Sequence, residues 1–73
     1  MLTMLRICRL KKGKTLRQVA RELGVSEVGL CRIEKGQAYI PPAWRKKLIN
    51  YYDVSPIEIF DPETGWPVLI KEE

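Results

Sequence analysis

An all-α bundle of five short helices, followed by a short extended C-terminal tail, is the fold class that this 73-residue sequence predicts. Three observations carry it. Apolar residues recur at three- and four-residue spacing through the segments before residue 60. Each segment opens on a residue suited to a helix start (Thr3, Thr15, Ser26, Pro42, Ser55); glycine closes the first three and Asp61-Pro62 the fifth. From Gly65 onward the pattern becomes Trp66-Pro67-Val68-Leu69-Ile70, β-prone or extended. A chain this short buries only about 60–65% of the surface its unfolded form exposes, so one core is the limit.

The elements follow in order. Thr3 caps a first helix with Leu2, Leu5 and Cys8 on one side and Arg6, Arg9, Lys11 and Lys12 around the remainder; Gly13 ends it. Thr15 and Gln18 read as a capping box, and Leu16, Val19, Ala20 and Leu23 keep helical spacing until Gly24. Ser26 caps a third helix, Val25 and Leu30 are placed to close a hydrophobic staple, and Leu30 and Ile33 form its inner face up to Gly36. Residues 37–42 form a loop, because Pro41 and Pro42 remove two backbone donors. Pro42 opens a fourth helix whose inner face is Trp44, Leu48, Ile49 and Tyr52, with Arg45, Lys46 and Lys47 facing elsewhere. Val54-Ser55-Pro56-Ile57-Glu58-Ile59 is a second stapled capping box that starts a short fifth helix.

Charge is distributed unevenly. Residues 1–50 hold twelve Lys/Arg against three acids, whereas residues 51–73 hold one lysine against six acids. A basic body with an acidic tail is the footprint expected for a polyanion on one part of the molecule, the alternative being a solvated surface. Histidine is absent, which removes His-based nucleophile activation and His-containing zinc sites. Cys8 and Cys31 are too few for a disulfide framework or a four-cysteine metal site, and read as a core thiol and a small helix residue. No acid, base or nucleophile arrangement is recognisable, so no enzyme, metal or cofactor is expected. The longest uncharged stretch is residues 37–44, and the first ten residues carry two arginines where a signal peptide needs an apolar core. A cytoplasmic protein with no membrane association is expected.

The second and third segments satisfy the geometric demands of a helix-turn-helix. Ala20 supplies the small residue where two helices cross closely, Gly24 the turn residue tolerant of positive φ, and Val19, Leu23, Val25, Leu30 and Ile33 the shared apolar core. With Ala20-Arg21-Glu22-Leu23-Gly24-Val25-Ser26 and Arg32-Ile33-Glu34-Lys35-Gly36 in place, residues 3–60 resemble the Cro/repressor-type (Xre-like) helix-turn-helix DNA-binding domain, a lambda-repressor-like five-helix bundle. The resemblance implies a transcriptional regulator whose third helix enters the major groove, and it implies an ion pair between Arg9 and Glu34. That family often places glutamine at the start of the second helix to brace a phosphate and a recognition-helix side chain; Leu16 stands there in this chain.

With Leu30 and Ile33 inward, a 100° step per residue puts Val28, Arg32 and Lys35 on the opposite face, Gly29 beside them, and Ser26 and Glu27 in the exposed first turn. The base-reading candidates are therefore Ser26, Glu27, Val28, Gly29 and Arg32. Arg32 suits a bidentate pair with guanine, Val28 a thymine methyl, and Glu27 cytosine N4, rejection of wrong placements, or simply the helix dipole. Gly29 costs roughly 1 kcal/mol of helix propensity, either for close approach to DNA or as a plain surface glycine. Arg17, Lys35, Gln37 and Tyr39 are the phosphate candidates, against a default of loose surface polarity. The expected partner is double-stranded DNA, bound by a homodimer on a pseudo-palindrome, with no small-molecule effector. A protein-binding module such as an antitoxin or adaptor is the competing function. The domain reading is a helix-turn-helix unit at 1–60 and an acidic tail at 61–73, whose apolar residues serve in dimerisation or fold back on their own subunit.

Overall fold

Local capping sets where each helix begins. The computed structural model describes residues 2–70. The Thr3 hydroxyl accepts from Arg6 N at the head of α1, Met4–Lys11, and Thr15 and Gln18 make a reciprocal capping box on α2, Leu16–Leu23. Ser26 caps α3, Glu27–Glu34, by accepting from Gly29 N. Pro42 stands at the first position of α4, Pro42–Tyr52, and Glu58 reaches back to Ser55 N across α5, Pro56–Ile59. The left-handed residue that ends α4 is Asp53, a position the sequence reading had not marked.

The core is built from Leu5, Val19, Ala20, Leu30, Ile33, Leu48 and Tyr52 of the first four helices, closed by Ile59 and Phe60. Each large apolar side chain so buried contributes about 1.5–3 kcal/mol. Ile40 joins them although it lies in the proline loop, where helical spacing carries no signal. Its backbone N–H donates to Gly65 O at 2.7 Å, which places the loop against the C-terminal segment.

The segment after α5 folds back along its own chain. Asp61 N donates to Trp66 O and Val68 N to Ile59 O, each at 2.9 Å, and Phe60 bridges Pro67 in antiparallel fashion. The strand pair β1 (Leu2–Thr3) and β2 (Leu69–Ile70) then runs antiparallel with Leu2 opposite Ile70, and Met4 N donates to Val68 O at 3.0 Å. Gly65 is buried at φ +78°, and a Cβ there would land on the Arg45 guanidinium. Arg45 departs from the expected outward-facing trio of α4. It is half-buried, donates from Nε to Ile40 O at 2.9 Å, and lies 5.6 Å from the Phe60 ring centroid. Its guanidinium braces the returning tail, while Lys46 and Lys47 remain exposed.

Candidate nucleic-acid interface

The α2–α3 turn follows from three adjacent residues. Gly24 takes the left-handed conformation (φ +70°) that a side chain would disfavour, Val25 N donates to Ala20 O at 2.9 Å to close the end of α2, and Ser26 starts α3. Val19, Ala20, Leu30 and Ile33 are buried across the junction, and Leu23 and Val25 are half-buried at its edge. Lys47 of α4 donates from Nζ to Leu23 O at 3.2 Å, supplying a partner to a carbonyl at the end of α2.

Burying Leu30 and Ile33 leaves Glu27, Val28, Arg32 and Lys35 on the exposed face of α3, with Val28 67% exposed. Glu27, Val28, Arg32, Lys35 and Gln37 meet around one open recess of about 380 Å³, and Leu16 and Cys31 complete its lining. Tyr39 and Gly29 lie elsewhere, around a second recess that includes Arg32 and Trp44. Ser26 is exposed, and its oxygen is already engaged as a cap. For Gly29 the structure supplies a reason inside the molecule: a Cβ there would stand 2.7 Å from Trp44 Cη2. The aromatic side chain of α4 therefore occupies the place where the sequence reading had set DNA or solvent.

Arg17 is exposed on α2 and its Nε lies 3.6 Å from Glu27 Oε2, so a phosphate candidate and a base-reading candidate face one another across the turn. This pairing had no signal in the sequence, because it joins the second residue of one helix to the first of the next. Lys14, Arg17, Gln18, Arg21 and Glu22 line a further shallow recess along α2.

Two ionic clusters hold this surface in place. Arg9 Nε donates to both oxygens of the Glu34 carboxylate at 3.0 Å, and Arg9 Nη1 donates to Lys14 O at 3.0 Å. The Thr3 hydroxyl donates to Glu34 O at 2.8 Å, so the cap of α1 also grips the end of α3. Burial pushes the Glu34 carboxyl above its ordinary range, outweighing the downward pull of Arg9. The second cluster joins α2 to α4. The Tyr51 hydroxyl donates to Glu22 Oε2 at 2.6 Å, Lys14 Nζ lies 3.3 Å from Glu22 Oε1, and Lys12 stands 4.6 Å over the Tyr51 ring. The Glu22 carboxyl is held low, first by the tyrosine hydrogen bond. Tyr51 is pushed up to about 12 by desolvation and by Glu22.

Among the described residues no helix is long and apolar enough to cross a membrane. No curated protein and no solved structure matches the chain. Residues 3–59 do match a family, described as a helix-turn-helix domain, from the cap of α1 through α5. With that span, the five-helix architecture and the exposed α3 face together, the chain belongs to the helix-turn-helix domain family and fits its Xre-like, Cro/repressor-type DNA-binding form.

Proposed function

We propose that the chain is a sequence-specific double-stranded DNA-binding transcriptional regulator, a repressor that occupies a pseudo-palindromic operator as a homodimer. One observation carries the reading. The outer face of α3 presents Glu27, Val28, Arg32 and Lys35 to solvent beside the exposed cation Arg17, within the first fifty residues, where basic residues predominate. Arg32 forms the bidentate contact to guanine. Arg17, Lys35, Gln37 and Tyr39 position the backbone, and Ser26 and Glu27 flank the entry into the groove. A single helix spans only a few base pairs, and specificity then requires two copies about one helical turn apart. Selection of bound duplexes from a random library tests class and symmetry together. A palindromic motif is the expected result, and failure to enrich any sequence would reject the proposal.

A second reading, a protein-binding module, draws on a different observation. Ile57, Trp66 and Leu69 remain exposed, Ile57 at 70%, after the tail has folded back. Sedimentation velocity on the free chain separates a self-associating regulator from a monomer that uses these residues for a different protein.

A further inference from the structure

The recess on the α3 face has an apolar lining that phosphate recognition does not require. Leu16, Val28 and Cys31 supply it, and the exposed cations Arg32 and Lys35 line it beside them. Leu16 and Cys31, together with Lys35, also line the adjoining recess beside Arg6 and Arg9, so their side chains form the ridge between the two. Neither residue follows from the helix-face reading as a base contact. The two cations fit a polyanion, whereas the Glu27 carboxylate on the same recess opposes a phosphate oxygen within it. In the major groove a base pair displays donors, acceptors and one apolar group, the C5 methyl of thymine.

We propose that the Leu16–Val28–Cys31 recess reads the C5 methyl of a pyrimidine, thymine in unmodified DNA, and that Leu16 and Cys31 are specificity-determining residues. The inference rests on the DNA-binding reading above and narrows it to a base identity and a position. Val28 and Arg32 are four residues apart on one helix, about 6 Å along its axis, and stacked base pairs repeat every 3.4 Å or so. The thymine therefore lies within about two base pairs of the guanine taken by Arg32.

The test begins with a duplex selected by the full chain at low salt. Each thymine is replaced singly by deoxyuridine, which removes the methyl and leaves the pairing edge intact, and Kd is read by fluorescence anisotropy. At one thymine per half-site the replacement is expected to weaken binding about fourfold, the worth of one buried methyl group. Cytosine at that position weakens binding as well, and 5-methylcytosine recovers about fourfold of the loss. Cys31→Ser and Leu16→Ala should each bring the thymine-to-uracil ratio close to one, with circular dichroism showing an intact fold. If one variant does not fold, the other and the wild-type base series decide. A thymine series that is flat throughout, a selected site lacking thymine, or an unchanged ratio in a folded variant would overturn the inference while leaving DNA binding in place. Failure to bind any duplex overturns the DNA-binding reading itself, and this inference with it.

Discussion

Glu34 is held at both its ends, by Arg9 at the carboxylate and by the Thr3 hydroxyl at the carbonyl, so one residue ties α1 to the end of α3. Glu34→Ala leaves the Arg9 charge largely buried with only a carbonyl partner, and is expected to cost about 3–5 kcal/mol. At about 4–8 °C per kcal/mol for a domain of this size, thermal unfolding should register the loss clearly. An unchanged melting temperature with lost DNA binding would instead place Glu34 at the surface. Arg32 and Arg17 allow the opposite kind of contrast, in binding and not in stability. Arg32→Ala should lose about 1–3 kcal/mol on the preferred site and flatten selectivity at one position per half-site, whereas Arg17→Ala should weaken all sequences alike. Measuring both variants across a panel of single-base operator mutants checks this, and parallel losses would reassign Arg32 to the backbone. At this scale the sequence was informative wherever a face was set by helical period, as for Val28, Arg32 and Lys35. For Gly29 it offers close approach to DNA or a plain surface glycine and gives no sign of the Trp44 ring, which comes from another helix.

Elements reveal the same division between local and distant causes. The helix starts at Thr3, Thr15, Ser26, Pro42 and Ser55 were legible because a cap and its partner lie within three or four residues. The burial of Ile40, the turning inward of Arg45 and the β1–β2 pairing were not, because each depends on Gly65 or its neighbours meeting residues far away in sequence. Removing residues 61–73 is accordingly expected to destabilise the bundle. It strips partners from the Met4 and Ile40 amides and uncovers Phe60. Several lost hydrogen bonds at roughly 0.5–1.5 kcal/mol each amount to a large share of what so small a domain has. A thermal shift of less than a few degrees, judged against about 4–8 °C per kcal/mol, would show the tail to be dispensable. The α2–α4 contact through Glu22 and Tyr51 gives a pH dependence. Tyr51 is pushed up from 10.0 to about 12, so the folded state holds its proton more tightly than the unfolded chain does. That contribution is complete below pH 10 and is lost as pH rises from there through about 12. Tyr51→Phe should remove this share of the alkaline fall in stability, and tyrosinate absorbance should lose the corresponding titration step. An alkaline profile unaltered by the substitution would show that the Glu22 contact does not persist in solution.

For the whole molecule the relevant quantity is the separation of charge, a basic first fifty residues and an acidic remainder. Neutralising phosphates releases counterions, with a slope of roughly −0.9 per contact in log affinity against log salt. A dimer using Arg17, Lys35 and neighbouring cations on each copy is expected to show a slope of roughly −4 to −8. A slope near zero in a salt titration would mean that the basic surface is not where DNA lies.

Pairing of Leu2 with Ile70 also closes the residues between them into one long loop. The clasp encloses residues 3–69 in that loop, so its closure costs more chain entropy than any helix–helix contact within it. It is held by two short strands and a few amides, so hydrogen exchange is expected to find it the first part of the fold to open. A covalent link between residues 2 and 70 would make that closure permanent in the unfolded state as well. The gain would appear as added stability and protected amides at Met4 and Val68, with the α3 face unaltered.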